Sequence, residues 1–239
     1  MSEEIKSIFF EHNARYGTIR ISKELARRGI IANRKRVGKL LHLMGLYPKG
    51  SRYRYKYYNR KRASLSQPNL INQVFKAIEP NKIWLADMTY ISTREGMLYL
   101  AVNIDIYSRK IVGWSMARRM KDDLVIRAFL QAYRREHPAK GLIIHTDQGS
   151  QYTSAAYQST LRKYNIISSM SRKGNPYDNA LMESFYKTIK RELINEADFQ
   201  SIDQAQLEIF KYIETYYNTK RMHSALGYQS PREFERNHS

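Results

Sequence analysis

The sequence contains no cysteine, and none of its apolar runs is long. The lack of cysteine excludes disulfide bonds and thiolate zinc sites. No apolar run approaches the roughly 20 residues of a membrane-spanning helix. The first residues, Met1–Glu4, lack the basic and apolar regions of a secretory signal. We therefore expect a soluble intracellular protein that does not act in a membrane.

Acidic residues are also scarce, since 22 Asp and Glu stand against 41 Lys and Arg, a formal net charge of +19 in 239 residues. Such an excess favours a polyanionic partner. A solvated basic surface, a ribosomal-type protein or a membrane-surface protein would also be basic, but an excess of this size favours nucleic acid. Hydrophobic residues make up 42% of the chain, so a packed core can form.

The basic charge is concentrated in residues 1–66, which hold 17 Lys and Arg and only 4 Asp and Glu. Apolar spacings there predict three short helices, over about residues 2–12, around Ile21 and Leu25, and after an N-cap at Asn33. Because the third helix begins with clustered basic residues, helix-turn-helix DNA binding is favoured over a helical hairpin with a solvated basic face. The candidate DNA contacts in this helix are Arg34, Lys35, Arg36 and Lys39.

Residues 49–62 follow with seven Lys and Arg, four Tyr and no acidic residue. Basic side chains can bind phosphates while tyrosine rings stack on bases or sugars, although a plain charged linker would have the same composition. The candidate DNA contacts in this segment are Arg52, Arg54 and Lys56. We predict a helix-turn-helix domain at 1–48, a basic tyrosine-rich linker at 49–68, and a core with a C-terminal helical tail at 69–239.

The core is predicted to be a mixed α/β fold. Three strands joined by short turns form an antiparallel meander, and helices and strands then alternate, which indicates further parallel strands with flanking helices. The predicted strands are 82–91, 97–106, 110–116, 142–146 and 166–170, and the predicted helices are 122–135, 153–164 and 178–195.

Three acidic residues occupy positions suited to metal chemistry. Asp87 lies within a predicted central strand, Asp147 follows the end of a buried strand, and Glu183 lies off the apolar stripe of the long helix. A buried carboxylate is costly without a cation or donor network, and ligands collect at strand ends in α/β sheets. Three carboxylates on one scaffold suit two divalent ions for phosphoryl transfer. The alternative is chance spacing among 22 acids.

Three further side chains accompany this set. Lys187 and Lys190 share the helix face of Glu183, which suits both a metal and a phosphate. His145 shares a strand face with Asp147, so it could line the site or be a packed, hydrogen-bonded histidine.

Two other acidic residues are expected to be structural. Asp105 stands where the second predicted strand meets a turn, so a turn-end role is favoured over catalysis. Asp178 precedes the apolar run of the long helix, where an aspartate suits the N-cap.

The strings around these residues closely resemble bacterial insertion-sequence transposases of the OrfB type, which carry a retroviral-integrase-like catalytic core. The resemblance covers nearly the whole chain, and the 35 residues between Asp147 and Glu183 match the D-D-35-E spacing of that superfamily. One residue more than in the family separates Val102 from Asp105. The matching strings are Trp84 to Tyr90, Val102 to Trp114, His145 to Tyr152, the set Gly174, Asp178, Asn179, Glu183 and Lys190, and the C-terminal set Tyr217, Asn218, Arg221, His223, Leu226, Gly227 and Pro231.

The resemblance implies an RNase H-like mixed sheet preceded by a small all-α helix-turn-helix domain. It implies that Asp87, Asp147 and Glu183 are the catalytic metal ligands, for two Mg²⁺ or Mn²⁺ ions, and that Lys190 lies near the DNA end. The implied reaction is cleavage and strand transfer of insertion-sequence DNA ends. The implied partners are double-stranded DNA (terminal repeats and target), further copies of the chain on DNA, and an upstream-frame protein, in the nucleoid of the bacterial cytoplasm.

Two other functions are kept as alternatives. A non-catalytic regulator would bind element ends and compete with an active transposase. A plain nuclease of RNase H-like fold would cleave without joining, but the basic N-terminal part and the matching strings argue against it.

Overall fold

A computed structural model describes residues 1–49, 69–71, 77–171 and 179–238. The predicted DNA contacts Arg52, Arg54 and Lys56 and the predicted helix cap Asp178 lie outside the described residues. Within those ranges, every helix is too short or too polar to cross a lipid bilayer.

Three short helices open the chain, as predicted, and they form an all-helical N-terminal unit. Their inward faces are apolar, and Ile5, Ile21 and Val37 are fully buried. The predicted N-cap is confirmed, because the Asn33 side chain accepts a hydrogen bond of 2.9 Å from the main-chain N–H of Arg36. The helices are α1 (Ser2–Glu11), α2 (Thr18–Arg27) and α3 (Arg34–Leu43).

A five-stranded mixed sheet forms the centre of the molecule, in the order β3-β2-β1-β4-β5. β1 pairs antiparallel with β2, and β2 with β3, whereas β1 pairs parallel with β4, and β4 with β5. The predicted change from an antiparallel meander to parallel strands is therefore confirmed. The strands are β1 (Ile83–Thr93), β2 (Gly96–Asp105), β3 (Ile111–Ala117), β4 (Ile143–Thr146) and β5 (Ile167–Met170).

Helices cover both faces of this sheet. They are α4 (Asp122–Glu136), α5 (Ser150–Thr153), α6 (Ala155–Lys163), α7 (Ala180–Glu192), α8 (Ile202–Lys211) and α9 (Pro231–Asn237). After α8 the backbone continues as a π-helical segment, Tyr212–Tyr217. The long helix was predicted to extend to residue 195, but α7 ends at Glu192 because Leu193 leaves the helical conformation at φ −137° and ψ −61°.

The alternation of β1 sends its side chains into two separate cores. Trp84 and Ala86 pack with α4 and α6 on one face. Leu85 and Ile91 pack with α7 and α8 on the other, in a core that the N-terminal unit also joins. Because side chains alternate along a strand, Asp87 lies on the face that α7 covers.

A buried charged cluster holds the end of α7 in place. The Glu192 carboxylate accepts hydrogen bonds from Arg221 Nε and Nη2, each at 2.9 Å, and from the Tyr212 hydroxyl at 2.8 Å. A second guanidinium group, that of Arg20 on α2, has its Nη1 atom 3.6 Å from the same carboxylate. We call these four residues the Glu192 cluster.

The N-terminal unit contacts the C-terminal part of the chain around this cluster. The Tyr16 hydroxyl donates to the Lys220 carbonyl and accepts from the Met222 N–H, both at 3.0 Å. Arg15 Nε donates to the Glu192 carbonyl at 3.3 Å. The helix that carries Glu183 is therefore bonded at its far end to both terminal parts of the chain.

Candidate active site

The parallel pairing of β1 with β4 places two of the three predicted metal ligands side by side. The register pairs Leu85 with His145 and Ala86 with Thr146. Asp87 is the next residue of β1, and Asp147 is the first residue after β4. Neighbouring strands lie about 4.8 Å apart. Both aspartates are half-buried. The register therefore sets the two aspartates side by side at the carboxyl end of β4.

The Asp87 side chain is held by its own backbone and by α7. Its Oδ1 accepts a hydrogen bond of 2.7 Å from the Met88 N–H, and its Oδ2 accepts one of 2.8 Å from the Asn179 amide. The Tyr186 hydroxyl donates to the Asp87 carbonyl at 2.6 Å. Asn179, at the start of α7, and Tyr186, within it, therefore hold this helix against the strand that carries Asp87.

The loop after β4 orients Asp147. Its Oδ1 accepts a hydrogen bond of 2.9 Å from the Gly149 N–H. A β-carbon on Gly149 would lie only 2.9 Å from that same oxygen, so this position admits no larger residue without displacing the carboxylate. The Gln148 amide nitrogen donates to the Ser171 carbonyl at 3.0 Å and ties the loop to the end of β5.

Glu183 stands apart from the two aspartates. It is exposed, and its Oε2 lies 3.3 Å from Lys187 Nζ. Asn179, which bonds Asp87, precedes Glu183 by four residues. Asn179 and Glu183 therefore lie on the same helix face, about 6 Å apart along the axis. Among the described residues, no three His, Asp or Glu side chains stand close enough together to hold a metal ion. The structure thus brings Asp87 and Asp147 together and pairs Glu183 with Lys187.

The pKa values of two buried tyrosines, Tyr152 and Tyr186, are raised in part by the charges of Asp87 and Asp147. Burial raises the pKa of the Tyr152 phenol well above its ordinary value, and the charge of Asp87, with a smaller contribution from Asp147, raises it further. Burial likewise raises the pKa of Tyr186, and the same two carboxylates add to the shift. The charges of Asp87 and Asp147 thus act on both buried phenols, and their carboxylate oxygens are ligands of the kind that hard divalent cations bind.

The predicted basic contacts lie on two separate parts of the fold. Lys190 Nζ lies 5.3 Å from the centroid of the Tyr90 ring, a cation–π distance, and Tyr90 is itself exposed. Lys187 lies one turn before Lys190 on the same helix. The N-terminal set Arg34, Lys35, Arg36 and Lys39 is exposed along α3.

His145 and Asp105 have structural surroundings. His145 is fully buried, and its Nδ1 forms a hydrogen bond of 2.8 Å with the Ser169 hydroxyl, which matches the packed alternative of the two readings. Asp105 ends β2, and its carboxylate accepts hydrogen bonds from the N–H groups of Asn81 and Tyr107, which confirms the turn-end position. Burial raises the pKa of Asp105 to about 6.

The sequence interpretation gave no site role to three residues, Asn179, Tyr186 and Gly149, although Asn179 and Gly149 lie within the matching strings. Asn179 and Tyr186 lie four residues before and three residues after Glu183, which is the spacing of neighbours on one helix face. That spacing was the available signal. For Gly149 the sequence offers only a turn, since the close approach to Asp147 depends on the folded loop.

The sequence is similar to known proteins along its whole length. Residues 77–176 and 164–231 match families described as integrase core domains, and residues 1–57 match an HTH-like domain. The chain is 70% identical over its full length to the transposase for insertion sequence element IS904 of Lactococcus lactis subsp. lactis strain IL1403, covering 94% of that protein. It is 41% identical over 231 residues to transposase InsF for insertion sequence IS3A of Escherichia coli strain K12, covering 97% of this chain and 80% of that one.

Solved structures share the fold at lower identity. The HTLV-2 integrase catalytic core domain, solved in complex with magnesium, matches 66% of this chain and 97% of its own with a TM-score of 0.51 and 21% identity. A chain of the simian T-cell lymphotropic virus intasome in complex with the PP2A regulatory subunit B56 gamma matches 97% of this chain and 73% of its own, with a TM-score of 0.56 and 17% identity. These likenesses show the integrase-like RNase H fold.

Proposed function

This chain belongs to the insertion-sequence transposases that carry an integrase core domain, and we propose that it cleaves the DNA ends of its element and joins them to target DNA. The observation that carries the proposal is the β1–β4 register, which sets Asp87 beside Asp147 while Asn179 and Tyr186 bond α7, the helix of Glu183, to Asp87. In the proposed reaction, water breaks one phosphodiester bond and leaves a 3′-OH. That 3′-OH then displaces a 3′ oxygen in the target strand.

The donor set fits Mg²⁺ or Mn²⁺. Asp87, Asp147 and Glu183 offer only oxygen atoms, and hard divalent cations take oxygen ligands. Two adjacent half-buried carboxylates also need a compensating positive charge. When bound, two such ions activate the attacking oxygen and stabilise the leaving oxygen. The HTLV-2 integrase core, which shares this fold, was solved with magnesium, and that supports the assignment.

The chain's own groups orient the carboxylates and contact DNA in this proposal. The N–H groups of Met88 and Gly149 hold the two aspartates at the sheet edge. Lys187 and Lys190 bind phosphate oxygens beside them, because ammonium groups form strong charge-assisted hydrogen bonds with phosphate. Since water and then a 3′-OH are the nucleophiles, no serine or tyrosine nucleophile is required.

The partners of the proposed enzyme are double-stranded DNA and further copies of the chain. Residues 1–48 bind DNA through the exposed basic residues of α3, residues 49–68 link this unit to the core, and residues 69–239 form the catalytic part. Two DNA ends must be held at once, so at least two copies assemble on DNA. An upstream-frame protein joins this assembly, and the reaction takes place at the nucleoid in the bacterial cytoplasm.

A strand-transfer assay tests the proposal. Purified chain, a labelled duplex bearing the element end and Mg²⁺ or Mn²⁺ are expected to yield joined products. Asp87→Asn should reduce joining by about 100-fold or more, since the site supplies several kcal/mol of transition-state stabilisation, and should leave DNA binding intact. Asp203→Asn, on an exposed position of α8, is the matched control. Undiminished joining by Asp87→Asn would refute the assignment.

One observation favours the alternative of a non-catalytic, end-binding regulator. Glu183 pairs with Lys187 in this structure and does not complete a three-carboxylate group with Asp87 and Asp147. The same assay separates the two functions, because a regulator binds the element end tightly but produces neither cleaved nor joined strands with either metal. Cleavage without joining would instead indicate a nuclease.

A further inference from the structure

A short basic loop connects β3 to α4, and none of the functions described above uses it. It consists of Arg118, Arg119, Met120 and Lys121, all exposed. Arg118 lies 3.9 Å from the Glu95 carboxylate, and both side chains are largely exposed, so this ion pair is weak. Within the described parts of the chain, the side chains of Arg119 and Lys121 form no hydrogen bond or ion pair. Three cationic groups therefore face solvent within four residues.

The strand register places this loop near the carboxylates. Tyr90, three residues beyond Asp87 on β1, pairs with Tyr99 on β2, and Tyr99 pairs with Ala117 at the end of β3. With strands about 4.8 Å apart, Ala117 lies about 10 Å from Tyr90. Lys190 contacts the same Tyr90 ring from α7. One cross-strand row thus connects Lys190 with the residue that precedes the loop.

A hydrogen bond joins the loop to the segment that follows the other aspartate. The Gln151 amide nitrogen donates to the Met120 carbonyl at 3.4 Å. Gln151 lies on α5, which begins directly after Gly149, the residue whose N–H holds Asp147. The loop leads directly into α4, whereas Lys187 and Lys190 belong to α7. Basic residues of two separate elements, the β3–α4 loop and α7, therefore lie near the paired aspartates.

We propose that the Arg118–Lys121 loop is a second phosphate-binding surface for duplex DNA at the active site. Its three cations bind backbone phosphates beside the start of α4, in addition to those that the lysines of α7 bind. The inference rests on the proposed function in taking DNA as the substrate. The shared chemistry is the phosphodiester backbone, which element ends and target DNA both present, so the experiment must distinguish the two.

A pair of double variants tests the proposal. Arg119→Gln with Lys121→Gln removes two charges from the loop. Arg162→Gln with Lys163→Gln removes two exposed charges from the carboxyl end of α6. Because α6 connects the carboxyl end of β4 to the start of the parallel strand β5, these two residues lie at the opposite end of the strands from the site. Both variants are expected to keep the melting curve of the parent chain, because all four positions are exposed.

Fluorescence anisotropy over a NaCl series gives the readout, with a labelled duplex bearing the element end and one of unrelated sequence. Each lost phosphate contact lowers the slope of log affinity against log salt by about 0.9, so the loop variant should lose up to about 2 in slope and about tenfold or more in affinity at 0.1 M salt. The α6 variant should lose neither. A loss confined to the element-end duplex assigns the loop to element ends, and a loss confined to the unrelated duplex assigns it to target-type DNA. A loss on both duplexes assigns it to both.

The two proposals fail in different ways. If the parent chain joins strands but the loop variant matches the α6 variant in slope and affinity on both duplexes, this inference is overturned while the function stands. If no joining occurs but the loop variant alone loses slope, the catalytic proposal fails and the phosphate surface stands. Because binding is measured without chemistry, Asp87→Asn protein should give the same slopes.

Discussion

Replacing Arg221 with methionine is expected to destabilise the whole chain, because the change leaves the Glu192 carboxylate buried without its main partner. Arg221 forms three hydrogen bonds with that carboxylate, at 2.9, 2.9 and 3.2 Å, and both side chains are almost fully buried. Burial alone would raise the pKa of Glu192, but the charge and hydrogen bonds of Arg221, with smaller contributions from Arg20 and Tyr212, together lower it. The folded state therefore depends on this pairing.

The contacts that remain set the size of the effect. Removing one partner of a buried ion pair costs about 3–5 kcal/mol. Arg20, at 3.6 Å, and the Tyr212 hydroxyl, at 2.8 Å, still contact the carboxylate, so we expect the lower end, about 3 kcal/mol. For a chain of this length each kcal/mol lowers the melting temperature by about 2–4 °C, which predicts a fall of about 6–12 °C.

Urea unfolding and thermal melting followed by circular dichroism measure this loss. Arg232→Met, an exposed position of α9, is the matched control and should stay close to the parent. A lowered pKa means that the stability from ionised Glu192 is present above pH 4.5 and is lost as the pH falls through the folded-state pKa, so the difference between the Arg221 variant and its parent should shrink in acid. The reasoning is refuted if Arg221→Met melts within about 2 °C of the control, or if adding Glu192→Gln recovers none of the loss.

Three further predictions concern pH and the site. Burial lowers the pKa of His12 from 6.5 to about 4, so as the pH falls the unfolded chain binds a proton before the folded chain does. The free energy of unfolding should therefore fall as the pH drops from about 6.5 to about 4. Urea unfolding should show this fall in the parent and a smaller one in His12→Phe. Gly149→Ala would press a β-carbon against Asp147 Oδ1, so strand transfer should fall about tenfold or more with an unchanged melting curve, and parental activity would contradict the close approach. Asn179→Ala removes a hydrogen bond to Asp87, so strand transfer should fall about 10- to 100-fold and need more Mg²⁺; an unchanged Mg²⁺ requirement would count against a positioning role.

Local patterns were sufficient to predict most of the fold. β1 is apolar on both faces because α4 covers one and α7 the other, and that burial is what marked it as a central strand. The Asn33 cap of α3 was predictable because it depends on bonds within three residues. Where distant contacts decide, the prediction was wrong or lacked detail, as at the end of α7 and in the π-helical segment Tyr212–Tyr217.

The site divides along the same line. Asp87 and Asp147 were identified from their strands and from the matching strings, and the parallel register places them together. The bond from Asn179 to Asp87 spans 92 residues, so no local pattern contains it. Glu192 was equally hidden, because a glutamate at the end of a helix resembles a surface residue until Arg221, 29 residues later, is folded against it.

The Glu192 cluster and the contacts around it have a consequence for how the chain is made. Tyr16 and Arg20 leave the ribosome early, yet their partner Met222 lies 206 and 202 residues further along. The N-terminal helices therefore cannot form these contacts until nearly all of the core has been synthesised, and the surface that makes them stays exposed until then. Contacts this distant in sequence are entropically costly and form late. A nascent chain interrupted before Arg221 would leave Glu192 without its main partner, so only an almost complete polypeptide can fold around this cluster.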